Sequence, residues 1–411
     1  MSFRGWLLGV GVAFALFFSP ALAGAQGLPT PGDNLEISLV TYGPGEIYWE
    51  RFGHNAIVVR DLSTGRAVSY NYGMFDFEQD DFFVNFLRGR MMYQIGAFDF
   101  DQEYPLYIDE GRSVEQQVLD LTPARKLELA EFLANNAKPE NASYRYDYFV
   151  SNCSTKLRDA LDKALDGAIR KQTEGRSRGY TFRLDSLRLT APDRWLMLVI
   201  DLGLGPYADQ RLDFWRESFV PMTLASVVST TTLPDGRPLV SSRRTLAESR
   251  VVEAPALPPD LRPWFAVLGL AITIGLTALH STRRNVFSRV AFASSATVLS
   301  LFFGLGGLVL IGLWGFTEHQ SAWRNENLLL LNPLCLLLLP TWIGAFRRGW
   351  KVSPRAQVLA WIILFCAAVG LFLKVLPSFV QANLHWILLI LPIHLALARA
   401  ARLSSAPAPA A

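Results

Sequence analysis

The sequence predicts two unlike parts: an α+β outer domain built on a small antiparallel sheet, then an all-α bundle of five membrane-crossing helices. Three observations carry this. Short alternating apolar and polar runs, separated by turn residues, fill the chain up to about residue 120. An amphipathic helical pattern begins at Cys153. Beyond Pro258-Pro259-Asp260 the charges thin out and five long apolar stretches follow.

Taken in order, Arg4 precedes the apolar run Trp6–Phe18, and Ala21-Leu22-Ala23 or Ala23-Gly24-Ala25 offers a small-residue cleavage site. This is the order of a secretory signal peptide, residues 1–25, with an apolar core too short for a comfortable span. The alternative is a retained N-terminal anchor. The mature chain is expected to begin near Gly24 or Gln26, outside the cytoplasmic membrane. Residues 27–260 mix charges and aromatics as a globular domain does, with enough length for one sizeable core.

Leu35–Tyr42 reads as a strand ended by Gly43-Pro44-Gly45, and Phe52–Arg60 as a second, with His54, Ala56 and Val58 on one face. Turn residues from Asp61 to Gly65 return the chain into an antiparallel third strand, Ala67–Tyr72. Asp80–Gly89 is expected to be helical, and Met91–Phe98 and Ser113–Asp120 to be strands. Leu121-Thr122-Pro123 caps a helix running to about Asn135. Asn152 or Ser151 is the N-cap of the next helix, whose apolar face is Leu157, Ala160, Leu161 and Ala164. Arg170–Glu253 carries no readable pattern.

The apolar stretches are Trp264–Leu279, Val290–Phe316, Leu328–Phe346, Ala356–Val375 and Leu384–Ala398, within a membrane domain of residues 262–402. Arg283, Arg284 and Arg289 follow the first; Arg347, Arg348, Lys351 and Arg355 the third; Arg399 and Arg402 the fifth. The other two loops hold only Arg324, with Lys374 at a helix end where it can snorkel. The positive-inside rule therefore puts the C-terminus in the cytoplasm and the outer domain outside. The net charge of +3 comes largely from these loops and implies nothing about nucleic acid, and no nucleic-acid partner is expected. The Ala-Pro tail, residues 403–411, is expected to be disordered.

Of three cysteines, only Cys153 lies outside the apolar stretches, and His54 is the only histidine in the same part of the chain. A cysteine in the first helical turn feels the positive end of the helix dipole, which favours thiolate. Thiol plus imidazole is the minimal nucleophile–base pair for acyl chemistry. Asn71, on the neighbouring strand, is the candidate to orient the imidazole, ahead of Tyr70 and Tyr72. Backbone N–H groups at Cys153 and Ser154 are candidates for part of an oxyanion hole. The bland readings are a small packing residue for Cys153, a core histidine for His54 and a strand-end polar residue for Asn71. No metal-ligand spacing and no cofactor motif is present, so neither is expected.

The order His first, Cys second resembles the circularly permuted branch of the NlpC-type papain-like fold, which includes the lecithin–retinol acyltransferases. More closely, Phe52-Gly-His-Asn-Ala-Ile57, Tyr70-Asn-Tyr-Gly-Met-Phe-Asp-Phe77 and Asn152-Cys-Ser-Thr-Lys-Leu-Arg-Asp159 resemble the Lnb family of bacterial lipoprotein N-acyltransferases. Trp215-Arg-Glu-Ser-Phe-Val-Pro-Met222, Glu318-His-Gln-Ser-Ala-Trp-Arg-Asn-Glu-Asn327 and Gln381-Ala-Asn-Leu-His385 extend the likeness over most of the mature chain. The resemblance implies a ping-pong enzyme of the bacterial inner membrane with its large domain in the periplasm. Cys153 would take an acyl chain from membrane phospholipid as a thioester, leaving a lysophospholipid. The α-amine of a diacylglyceryl lipoprotein would then accept it.

Topology places Glu318, His319, Asn325, Asn327, Gln381, Asn383 and His385 at the outer end of the bundle, on the side of Cys153. With Asn152 and Ser154 beside the nucleophile, these are the substrate- and membrane-face candidates, since polar groups are costly against lipid. Their bland reading is interfacial loop chemistry. His280 and His394 read as structural, and Cys335 and Cys366 as packing residues. Two other functions fit the residues: a periplasmic Cys/His peptidase or amidase acting on peptidoglycan peptides, and a non-catalytic binding or transport protein.

Overall fold

The computed structural model describes residues 32–404, apart from 76, 77 and 80. The expected signal peptide and its cleavage site, Asp76-Phe77 of the aromatic motif, Asp80 as a helix start and the tail from residue 405 lie outside the described residues.

Seven strands make one sheet: β1 (Leu35–Tyr42), β2 (His54–Asp61), β3 (Ala67–Met74), β4 (Met92–Asp99), β5 (Val114–Leu119), β6 (Ser143–Arg145) and β7 (Val240–Ala247). Their order is β6-β4-β3-β2-β1-β5-β7, and every neighbouring pair is antiparallel. The first three strands pair in sequence order, β1 with β2 and β2 with β3, and that meander lies at the centre. The helices of this domain are α1 (Phe82–Arg88), α2 (Phe100–Asp109), α3 (Pro123–Asn136), α4 (Pro139–Ala142), α5 (Cys153–Ala164), α6 (Ala168–Thr173), α7 (Phe182–Thr190), α8 (Arg194–Gly203), α9 (Phe214–Glu217) and α10 (Pro221–Thr230).

Strand alternation divides the core between the two sheet faces. Leu35, Ile37, Leu39, Ile57, Val59 and Tyr70 pack on α3, α5 and α10 through Leu129, Leu133, Leu157, Leu161 and Leu224. Leu157 and Leu161 are fully buried, and each such side chain is worth about 1.5–3 kcal/mol relative to exposure. The opposite face, with Val40, Tyr42, Ala56, Val58 and Ala67, is covered by α2 through Phe100, Tyr104, Tyr107 and Ile108.

The expected strands and the helices after Thr122 and Asn152 form within a residue or two of their predicted bounds. Besides α4 and the helices α6 to α10, three elements in or against the sheet were not anticipated. α2 is capped by Asp99, whose side chain accepts from the backbone of Asp101 and Gln102, and it carries Pro105 in its interior, where the sequence suggests a break. β6 has only three residues. β7, from the unreadable stretch, is a polar strand with mostly exposed side chains, as suits a sheet edge.

The C-terminal region supplies five candidate membrane spans by length and composition. Four are the helices α11 (Arg262–Ser281), α12 (Val286–Phe316), α14 (Pro354–Leu373) and α15 (Leu384–Leu403). The third span, expected as one helix over Leu328–Phe346, is instead two 3₁₀ segments, Glu326–Leu329 and Pro333–Leu338, running into the short α13 (Leu339–Gly344). The break has a local cause: Asn332 Oδ1 accepts from Leu334 N at 3.0 Å, and Pro333 has no N–H to continue a helix.

Outer domain and bundle are locked together by α8. Leu198 and Leu202 pack on the bundle core. The carbonyls at the end of α8 are taken by bundle amides: Asn325 Nδ2 donates to Leu202 O at 2.9 Å and Gly203 O at 3.0 Å, and Asn327 Nδ2 to Leu202 O at 3.1 Å. These are C-terminal carbonyls that no helical N–H can reach.

Candidate active site

His54 opens β2, and its Nε2 lies 2.8 Å from Oδ1 of Asn71 on β3. With Ile57 opposite Tyr70, Asn71 stands diagonal to His54 on the same face, while Tyr70 and Tyr72 turn to the other face and join the core. Asn71 is buried, and its Nδ2 donates to Ser69 Oγ at 3.0 Å. Nδ2 also lies 3.4 Å from Ser69 O, which can only accept, and this assigns the amide: Oδ1 is left to accept from Nε2–H, so the imidazole carries its lone pair on Nδ1. Burial pulls the His54 pKa down to about 4, against the lift from the Asn71 hydrogen bond, and the nearby Arg112 lowers it further. The ring is therefore neutral at physiological pH.

Cys153 is the first residue of α5. The start of the helix is fixed by a capping box, in which Asn152 Oδ1 accepts from Thr155 N at 2.9 Å and Asn152 N donates to Thr155 Oγ1 at 2.8 Å. The β2–β3 ladder ends at Ile57 and Tyr70, and the start of α5 approaches where the strands part. Gly73 on β3 has φ +99°, and a Cβ there would stand 3.4 Å from the Cys153 Cβ. Glycine thus supplies both the backbone conformation and the room beside the nucleophile.

Backbone amides of Asn55, Ser154 and Cys153 reach the thiol, and with Arg112 they favour its charge, but burial outweighs them and pushes its pKa up to about 11. The helix start favours the charged form, as expected, but burial outweighs it, and the resting groups are thiol and neutral imidazole. Asn55 is the donor that sequence reasoning missed. It follows His54 directly, so the strand start carries both the base and an amide aimed at sulfur.

The ring of His54 has aromatic neighbours, and its partner Asn71 in turn meets a buried acid. Tyr42, opposite it on β1, has its ring centroid 5.9 Å away, and Tyr107 of α2 lies 6.4 Å away and nearly parallel. Arg112 lies 4.7 Å over the Tyr107 ring and donates through Nε to Gly43 O at 2.8 Å. Glu103, also on α2, is raised to about 7 by burial, offset in part by hydrogen bonding from Ser69 and Asn71. Its Oε2 is buried without a hydrogen-bond partner. The chain of contacts Glu103–Asn71–His54 was hidden from the sequence because α2 itself was.

The remaining candidates lie elsewhere. Asn152 and Ser154 turn their side chains inward: Asn152 Nδ2 donates to Phe219 O at 2.9 Å and Ser154 Oγ to Ser218 O at 2.6 Å. These bonds fasten the Cys153 turn to the segment after α9. Glu318 pairs with Arg90 at 2.6 Å and with Arg145, and its backbone N donates to Arg88 O at 2.8 Å. His319 Nε2 lies 3.0 Å from Phe86 O. Both therefore dock the outer end of α12 onto α1. Asn325, Asn327 and Gln381 join the α8 clamp, Gln381 Nε2 donating to Asn325 Oδ1 and Asn383 Nδ2 to Asn327 Oδ1, each at 2.8 Å. His385 meets Asp201 of α8, which also accepts from Trp386 Nε1 at 2.7 Å and from Arg183 Nη1 at 2.7 Å. His54 and Asn71 are joined directly, and Cys153 lies at the same strand ends, beside Gly73 and within reach of the Asn55 amide. Among the described residues, no group of three or more His, Cys, Asp and Glu residues could hold a metal ion.

Comparison with known proteins agrees with this division. Residues 30–192 match the family model of the Lnb N-terminal periplasmic domain, and residues 257–403 that of the Lnb transmembrane domain. No curated protein and no solved structure matches the chain. With both of the family's domains present in order, one holding the thiol–imidazole pair and the other the candidate spans, the chain belongs to the Lnb family: a membrane protein with a periplasmic N-terminal domain and a C-terminal transmembrane region.

Proposed function

We propose that the protein is a cysteine-nucleophile acyltransferase of the inner membrane, with its C-terminus in the cytoplasm. It takes an acyl chain from phospholipid and passes it to an amine, that of a diacylglyceryl lipoprotein. The observation that carries this reading is the His54–Asn71 pair, with the imidazole lone pair left on Nδ1, on the strand whose next amide reaches Cys153.

In the first half-reaction His54 Nδ1 takes the thiol proton as Cys153 Sγ attacks the lipid ester carbonyl. The oxyanion that forms is met by the amides of Asn55 and of the α5 start. Collapse breaks the ester C–O bond, and the imidazolium returns its proton to the departing glycerol oxygen, giving a lysophospholipid and a Cys153 thioester. In the second half-reaction the amine attacks the thioester, His54 takes the amine proton, and the sulfur leaves and recovers it. A thiol that rests protonated suits this route, because the full cycle begins and ends with the same neutral pair and the imidazole is again neutral when the thioester has formed.

The test is the full-length protein in phospholipid nanodiscs with a synthetic diacylglyceryl lipopeptide. Equal amounts of lysophospholipid and N-acylated lipopeptide are expected, and both should vanish in Cys153→Ser and in His54→Ala. Lysophospholipid without acylated peptide would make it a lipid hydrolase. Cleavage of muropeptides with no lipid product would replace the reading with the peptidase.

A further inference from the structure

α1 has no buried residue, yet its sequence is Phe82-Phe-Val-Asn-Phe-Leu-Arg88. Phe83 and Leu87 are each 68% exposed, Val84 42% and Phe86 41%. A seven-residue helix with no buried side chain has no stability of its own in water, and a soluble surface rarely carries such a patch without a partner.

Its position says what the partner is. From Val290 on, α12 runs without a charge to Phe316, itself 81% exposed, with Trp314 47% exposed two residues earlier. Aromatics at the end of a span mark the water interface. Two residues on, Glu318 N bonds Arg88 O, His319 bonds Phe86 O, and the Glu318 carboxylate pairs with Arg90 and Arg145. A Cβ on Gly89 (φ +72°) would meet His319 N at 2.9 Å, so the two backbones touch. α1 is thereby pinned at the level where the hydrocarbon ends.

From α1 an unbroken aromatic row leads inward. Phe82 lies 6.3 Å from Phe75, Phe75 5.3 Å from Tyr93, and Tyr93 4.2 Å from Tyr146. Tyr146, whose ionisation is opposed first by burial, is also close enough to feel charge on Cys153. Rings in series present a continuous apolar wall, and lipid ester chemistry needs one between bilayer and nucleophile.

We propose that α1 inserts into the outer leaflet of the membrane its own bundle spans, and that the row from Phe82 to Tyr146 is the track along which an acyl chain reaches Cys153. The first half stands on exposure and geometry alone; the second rests on the acyl-transfer reading.

The experiment reads the two halves separately. In nanodiscs, an environment-sensitive fluorophore is attached to Phe83→Cys on a chain carrying Cys153→Ala, Cys335→Ala and Cys366→Ala. Blue-shifted emission, quenched by phospholipid brominated near the ester end of its chains, is expected. Water-like emission overturns the insertion, and a shielded probe that brominated lipid does not quench overturns it in favour of a protein partner. The second arm is Phe83→Glu with Leu87→Glu on the otherwise native chain. Cys153 acylation from bilayer phospholipid should fall at least tenfold, while acylation from monomeric dihexanoyl phosphatidylcholine stays within twofold of wild type. An equal fall with both lipids overturns the delivery role. A membrane-quenched probe with no acylation of the native chain from either lipid would leave the insertion supported and sink the acyl-transfer reading instead.

Discussion

Replacing Glu103 by Gln should stabilise the protein, and increasingly so as the pH rises. Burial lifts this carboxyl from an ordinary glutamate value to about 7. The unfolded chain releases the proton near the model value of 4.5 and the folded chain only near 7, so between these the unfolded state binds fewer protons and stability falls with rising pH. At about 1.4 kcal/mol per unit, the penalty is roughly 1 kcal/mol at pH 5 and about 3 kcal/mol at pH 8. A glutamine has the same shape, can serve the orphaned Oε2 position with an amide, and has no such slope. The assay is the melting temperature of full-length protein in detergent at both pH values. Wild type should lose about 2 kcal/mol more than Glu103→Gln between them, a difference of about 4–8 °C in Tm shift. Parallel pH dependences in the two proteins would refute the buried, proton-holding Glu103.

Other expectations follow from the same geometry. Because burial raises Cys153 to about 11, its alkylation by iodoacetamide should be slow and still climb about tenfold per pH unit up to pH 9; a rate that levels off with a midpoint near pH 8.5 would mean an ordinary exposed thiol. Asn71→Ala leaves the Nε2–H without its acceptor, at about 1–3 kcal/mol, so activity should fall roughly 5- to 150-fold. Asn71→Asp, which keeps an acceptor, should lose less, and equal losses would show that Asn71 serves packing alone. Arg183 lies between Asp201 at 2.7 Å and Asp209 at 2.9 Å, all three buried or nearly so. Arg183→Leu should cost about 3–5 kcal/mol by stranding two carboxylates, read as a lower melting temperature; an unchanged one would contradict the clamp.

What the sequence made legible was what short-range chemistry dictates. The hairpins from Leu35 to Met74 and the capped starts at Thr122 and Asn152 carry their signals locally, and they deliver His54, Asn71 and Cys153 to one end of the sheet. What escaped depends on tertiary context. α2 is held by its packing against Tyr42 and Val58 despite Pro105, and with it went Glu103 and Tyr107. β7 is a strand because β5 offers an edge, not because of its polar sequence. The polar cluster at the bundle mouth was visible as residues, but its division between the α8 clamp and the α1 contact depends on how distant segments pack. The helix-start argument for a thiolate weighed the dipole and could not weigh burial, which proved larger.

The central claim is that Cys153 carries an acyl chain, and intact mass of the purified full-length protein after incubation with phospholipid in detergent tests it most directly. The account predicts an acyl-sized gain that neutral hydroxylamine removes and that Cys153→Ala never shows, with lysophospholipid appearing alongside. Neither adduct nor lysophospholipid from an active preparation, or an adduct that persists in Cys153→Ala, would contradict it.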